Sequence, residues 1–361
     1  MRAAGRGHLP RVAGIALLAV LVLSAAFVAP GRGAARQSPP AGDEAALKLL
    51  RRSAEAARSC PYTGVQFISA WSGSGTSTSL VDVAHRPGHG TTMRVRGTGN
   101  DPSGGAYTLD DPSQEQAPAG GLSGPTDEQL SLLSRNYTVH SAPSATVGGR
   151  TADVVEVRRA NGTAAARFWI DRAEHLLLRR EIFDPSGHLI QASAFVSVDF
   201  QHDDLGQSAA AAKPPWGGRL GAPQIAALRR SGWPVPRGLP DGLSLYAAWR
   251  GGGANAPVLH LGYSDGLSVV SLFVQRGRLD DARLPGWRRV ERHRGVLYVS
   301  GTVQQRIMWA AHGYVYTVIA DAPSGTTERV VGTLPHESRP GFWARIGHGL
   351  NRVLSWVNPF D

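Results

Sequence analysis

Apolar and polar residues alternate along most of this chain, and a period of two marks half-buried strands. The runs "YTGVQFISAW", "TSTSLVDVAH" and "TTMRVRG" carry the pattern first. It resumes in "TADVVEVRR", "AARFWID", "LLLRREIFD" and "LIQASAFVSVDF", and again in "VLHLGY", "LSVVSLFV", "GVLYVSGTV" and "RIMWAAHGYVYTVIA". Asn161-Gly162 and Asp265-Gly266 fall between such runs, and His312-Gly313 falls inside one. Each is a hairpin signal, because these residues tolerate the positive φ of tight turns. Helical spacing breaks the alternation in few places. Asp43 caps "EAALKLLRRSAEAARS", with Leu47, Leu50, Ala54 and Ala57 on one face and Cys60-Pro61 as the stop. Thr126 to Gln129 forms a capping box ahead of "LSLLSRNY". Short helices are predicted around "QIAALRRSG" and in "APSGTTERVVGTLP". Gly97 to Pro125, rich in Gly, Pro, Ser and Asp, reads as a long loop with a short strand at "AYTL".

The pattern weakens between Gln201 and Ser231, so the chain divides there. The organisation predicted is a large unit over 43–200, a linker over 201–232, a small unit over 233–335 and a basic tail over 336–361. The fold class is α+β, built mainly from antiparallel sheets with a few covering helices.

The first 36 residues follow a different rule. Arg2, Arg6 and Arg11 precede the uncharged apolar run Val12 to Ala29, which predicts an export signal. The run is long for a cleaved signal and just long enough to span a bilayer, so signal peptide and N-terminal anchor both stand. Either places the body outside the cytoplasmic membrane, secreted, periplasm-like or anchored. Export changes the meaning of the net charge of +10. Away from nucleic acid, that charge attracts anionic lipid, wall polymer or an acidic protein segment. Of the 38 basic residues only Lys48 and Lys213 are lysine, and this arginine bias suggests a GC-rich, actinobacterial genome. Cys60 is the single cysteine, so no internal disulfide forms.

Candidate chemistry concentrates in "VLHLGYSDGLSVVSLFV", where His260, Ser264 and Asp265 lie within six residues. A nucleophilic serine needs a base in hydrogen-bond reach and donors for the oxyanion. The stretch has no G-x-S-x-G elbow, and turns favour Ser and Asp in their own right. The reading is a hairpin. His85 and His89 lack a completing ligand set, and Asp110-Asp111 and Asp203-Asp204 lack the calcium-loop pattern. No P-loop or dinucleotide fingerprint occurs. A binding protein without catalytic residues, metal or cofactor is predicted.

The same residues carry a resemblance. "VLHLGYSDGLSVVSLFV", with Trp233, Pro234, Pro240 and Gly242 before it, resembles the small C-terminal domain of the RseB/MucB family of sigma-E regulatory proteins. "DAPSGTTERVVGTLP" looks like the helix that closes that domain. "VGGRTADVVEV", "RFWIDRAEHLLLRREIFDPSGHLIQASAF" and "LLRRSAEAARSCPYTGVQFIS" are similar to the family's larger N-terminal domain. The resemblance implies a LolA-like large domain, a curved antiparallel half-barrel with helices over its open side. It also implies a small antiparallel sheet domain with a short helix. The function implied is that of an extracytoplasmic regulator, which binds the outer segment of a membrane anti-sigma factor and shields it from proteolysis. Lipid or envelope stress would release that hold. The alternative is a lipid or lipoprotein carrier with no anti-sigma partner. Under either, Val65, Phe67, Phe168, Ile170 and Phe195 are candidates to line a lipid cavity.

Two further features stand apart. "RGRLDDARLPGWRRVERHRG" offers Arg288, Arg289, Arg292 and Arg294 to an acidic partner segment or anionic headgroups, against the plainer reading of a solvated loop. In the tail, Trp343, Ile346, Leu350, Val353 and Leu354 fall at helical spacing. With Trp356 at headgroup level they would form a membrane-interface helix, or else a helix packed on the protein's own surface.

Overall fold

The computed structural model describes residues 42–72, 75–88, 90–96, 106–109, 122, 124–200, 216–252, 257–279, 284, 286–292, 295–300 and 306–337. The N-terminal segment 1–36 and the tail beyond residue 337 lie outside them. Helix α1 (Glu44–Ser59) is followed by strands β1 (Tyr62–Ser72), β2 (Gly75–Arg86), β3 (Gly90–Arg96) and β4 (Ala106–Leu109). Helix α2 (Asp127–Asn136) leads into β5 (Thr138–Val147), β6 (Arg150–Arg158), β7 (Ala164–Asp171), β8 (Leu177–Phe183) and β9 (Leu189–Asp199). These nine strands form one antiparallel sheet, in the order β4-β3-β2-β1-β9-β8-β7-β6-β5. β4 and β5 do not pair, so the sheet stays open. Register shifts at Val65/Gln66, Ala142/Ala145 and Trp169/Ile170 bend and twist the strands that carry them.

The second sheet contains β10 (Trp216–Arg219), β11 (Ser244–Gly251), β12 (Val258–Ser264), β13 (Val269–Arg276), β14 (Arg288–Arg292), β15 (Gly295–Ser300), β16 (Arg306–Ala311) and β17 (Tyr314–Asp321). Its order is β10-β11-β12-β13-β17-β16-β15-β14, and all its pairs are antiparallel. Helices α3 (Ala222–Arg230) and α4 (Ser324–Thr333) accompany it. The linker expected over 201–232 is therefore shorter. Residues 216–219 add an edge strand, and Leu220, Ile225 and Leu228 pack on the second core.

The caps form as their residues dictate. The Asp43 carboxylate accepts from the amides of Ala45 and Ala46, and its second oxygen accepts from Ser141 on β5. One residue thus caps the start of the helix and ties it to the sheet. Thr126 and Gln129 make the reciprocal capping box. His312 and Gly313, at φ 51° and 79°, form the two-residue turn between β16 and β17.

Each sheet packs one face into a hydrophobic core. Leu50 and Ala54 of α1 and Leu130 and Leu133 of α2 pack with Ile68, Val155, Phe168 and Ile170 of the first sheet. On the second sheet, Val330, Val331 and the Trp233–Leu243 segment cover Leu261, Leu272, Trp309 and Val318. Trp309 Nε1 donates to the Pro335 carbonyl at 2.8 Å and Tyr263 OH to that of Pro236 at 2.9 Å, so both polar tips stay satisfied.

One turn of the second sheet reaches into the first core. Ser264 pairs with Val269, leaving the four residues Asp265 to Ser268 as the loop between β12 and β13. Leu267 at its tip belongs to the first core and is only 6 % exposed. Arg180 on β8 donates to the Leu267 carbonyl at 2.8 Å and to Asp321 of β17 at 3.0 Å, and Gln191 on β9 donates to Asp321 at 2.9 Å. Gly266 has φ 102°, and a Cβ there would lie 2.3 Å from the Leu133 backbone of α2. Replacing Gly266 with Ala should therefore destabilise the fold by about 1–3 kcal/mol through strain and displaced packing. Urea unfolding reads this directly, and an unchanged midpoint would deny the close approach.

Candidate functional site

The His260, Ser264 and Asp265 constellation resolves into two structural devices. Ser264 is fully buried; its Oγ donates to the Ser268 carbonyl at 2.8 Å and accepts from the Gly266 amide at 2.9 Å. Asp265 Oδ1 accepts from the amides of Leu267 and Ser268, at 2.9 and 2.7 Å. These bonds shape the turn from inside. Asp265 Oδ2 then accepts from Tyr137 OH at 2.6 Å, and its backbone carbonyl accepts from Asn136 Nδ2 at 2.9 Å. Burial, followed by the Asp265 charge, holds the Tyr137 phenol well above the usual tyrosine range, so it stays a donor. The aspartate that a hydrolase would need to orient a base instead fastens one sheet to the helix covering the other.

His260 is not placed to activate Ser264. Four residues along a strand separate the two by roughly 13 Å. The imidazole stacks between Trp249 (4.7 Å between centroids) and Phe273 (4.5 Å), its cross-strand neighbours on β11 and β13. Its Nε2 lies 3.1 Å from Ser271 Oγ. Burial pushes its pKa from the ordinary 6.5 down to about 3, so the ring is neutral in the fold.

His85 is likewise structural. Its Nε2 faces the Arg58 carbonyl at 3.2 Å, which only accepts, so Nε2 carries the proton and Nδ1 accepts from Thr91 Oγ1 at 2.8 Å. Among the described residues no group of three or more His, Cys, Asp or Glu side chains is arranged to hold a metal. His89 lies outside them.

The five cavity candidates do not share a surface. Phe168, Ile170 and Phe195 sit in the first core beneath α1 and α2, at 6, 0 and 5 % exposure. Val65 and Phe67 alternate with the buried Gln66 and Ile68, so they point to the opposite face. There Phe67 pairs with Leu80, which is 41 % exposed. That outer face also carries ion pairs, Glu156 with Arg158 and Arg167 at 2.6 Å and Glu181 with Arg179.

Arg288, Arg289 and Arg292 form part of β14, the last strand of the second sheet, and all three are exposed. A solvated loop is therefore corrected to a strand edge. Arg289 pairs with Glu291 at 2.7 Å. Arg294 lies outside the described residues, as do Trp343, Ile346, Leu350, Val353, Leu354 and Trp356 of the tail. No helix among the described residues is long and apolar enough to cross a membrane. Sequence reasoning missed the partners of the Asp265 turn, Tyr137, Asn136 and Arg180. They are remote in sequence, and each is of an ordinary surface type.

Because His260 is neutral when folded and titrates near 6.5 when unfolded, the unfolded state binds more protons below that value. Its contribution is complete above pH 6.5 and is lost as pH falls toward 3. His260→Phe keeps an aromatic in the stack and removes the titration. The urea midpoint of the natural chain should fall more steeply than that of the variant as the solution is acidified below pH 6.5. Equal slopes would contradict the buried neutral ring.

Residues 107–215, which contain β5 to β9, match the MucB/RseB N-terminal domain family. The chain is similar to MucB, at 21 % identity over 82 % of this chain and 99 % of that one, with a TM-score of 0.49. It is similar to the MucB of the Pseudomonas aeruginosa MucA/MucB complex at 20 % identity, over 81 % and 99 % of the two chains, with a TM-score of 0.45. A LolA superfamily protein from Nitrosomonas europaea is similar at 10 % identity over 44 % and 94 % of the chains, with a TM-score of 0.22. No curated protein matches. What the family comparison assigns is thus one domain: residues 107–215 are similar to the MucB/RseB N-terminal domain.

Proposed function

We propose that this chain is an exported regulator, which binds the outer segment of a membrane-anchored anti-sigma factor and shields that segment from proteolysis. The observation that carries the reading is the family match over residues 107–215. The geometry supports it from another side. The residues that would have suggested catalysis, Ser264, Asp265 and His260, are engaged in holding the fold together.

Lipid enters the proposal as the releasing signal. A ligand shifts a partner only by preferring the partner-free state, so release is a matter of linked binding and requires no chemistry. In the arrangement described, α1, α2 and Leu267 fill the inner face of the first sheet. A lipid reaching Phe168, Ile170 or Phe195 has to displace one of them, and that displacement couples the inner face to the joint between the sheets. The tail residues Trp343 to Trp356 would hold the chain near the membrane that supplies such a lipid.

The test is capture from membranes of the native organism with the full chain as bait, followed by identification of bound protein and extracted lipid. The reading predicts a single-span anti-sigma factor in the eluate, displaced by added membrane lipid. Stoichiometric lipid with no protein partner would overturn it in favour of a carrier.

A further inference from the structure

The β14 edge has the chemistry of a docking strand. Among the described residues, β14 stands last in the second sheet's order and pairs with β15 alone. Every second residue of an edge strand turns its amide and carbonyl outward, which makes the edge a template for another extended chain. Edges left in this state invite self-association unless charge guards them. Here the guard is cationic: Arg288, Arg289 and Arg292 are exposed, in a chain of net charge +10.

The register divides these charges between two faces. Arg288 pairs with Val299, Val290 with Leu297 and Arg292 with Gly295. Leu297 and Val299 pack on the second core, so Arg288, Val290 and Arg292 belong to the core-side face of the edge. Arg289, which pairs with Tyr298, and Glu291 belong to the other face, where they already form an ion pair. The core-side face thus presents two exposed guanidinium groups with no ion pair among the described residues, and a half-buried valine between them. Such an edge repels a second copy of itself and any basic strand, while it attracts an acidic one.

We infer that β14 takes an extended acidic segment of a protein partner as an added strand. The segment carries carboxylates at positions i and i+4 opposite Arg288 and Arg292, and an apolar residue at i+2 opposite Val290. Main-chain bonds to the edge supply affinity, and the alternate side chains supply selection. The inference rests on the reading of this chain as a protein-binding regulator, and it names the part of the partner that is held.

The experiment uses the full chain and three fluorescein-labelled peptides of one extended, Ser/Thr-rich design. The first has two glutamates flanking a valine at the stated spacing. In the second, lysines replace the glutamates. The third keeps the glutamates but is N-methylated at alternate residues, so its charge is intact and its ladder bonds are blocked. The glutamate peptide should bind and protect the amides of residues 288–292 from hydrogen exchange. The lysine peptide and the N-methylated peptide should each bind at least about tenfold more weakly, and the double variant Arg288→Glu, Arg292→Glu should lose a similar factor. No binding of the glutamate peptide, equal binding of the N-methylated one, or protection elsewhere would overturn the inference. A membrane partner whose capture survives the double variant would also overturn it while leaving the regulator reading intact. Peptide binding at β14 without any captured anti-sigma factor would uphold the edge and remove that reading.

Discussion

Everything in this structure turns on how the Asp265 to Ser268 turn is held. Its tip residue Leu267 is a core residue of a sheet to which its own strands do not belong. Burying that leucine is favourable by about 1.5–3 kcal/mol, but burial alone has no direction. Direction comes from the polar contacts around it. Ser264 and the Asp265 Oδ1 atom fold the turn, Tyr137 and Asn136 grip it from the end of α2, and Arg180 takes both the Leu267 carbonyl and Asp321. Gly266 lets the turn lie against the backbone of Leu133. Loss of one partner here leaves a buried polar group unmatched, which costs more than the bond itself contributes.

For the regulator proposed above, that joint would supply a fixed relation between surfaces on two sheets. The edge strand β14 belongs to the second sheet and the matched family domain to the first, and a partner spanning both would meet a preorganised surface. Under the proposed function, the same joint would supply a route for release. Arg180, Gln191 and Leu267 all lie on the inner face of the first sheet, so a ligand that reorganises this face also loads the contacts that hold the second.

Local structure was legible in the sequence because its causes are local. Asp43 before an apolar helical stripe, the Thr126–Gln129 box and the His312-Gly313 turn all act within a few residues, and each element formed where its signal stood. The hairpin reading of Asp265-Gly266 held for the same reason, although the loop contains four residues. What the turn touches was not legible, since Tyr137 and Arg180 are separated from it by 128 residues for one pair and 87 for the other. The face of a strand residue was only half legible. Alternation separates Val65 and Phe67 from Gln66 and Ile68, but only the packing of α1 and α2 says which set is inside. The arginine-rich segment looked like a loop because "RRVER" has one apolar residue, as suits an edge strand with little to bury.

Native-state hydrogen exchange on the full chain tests the joint most directly. If the turn couples the two sheets, the slowest amides of β7 and β12 exchange through one opening with a common free energy. If the β12 amides open at a clearly lower free energy while those of β7 keep theirs, the sheets are independent. The account of a rigid frame that displays both surfaces to one partner would then be wrong.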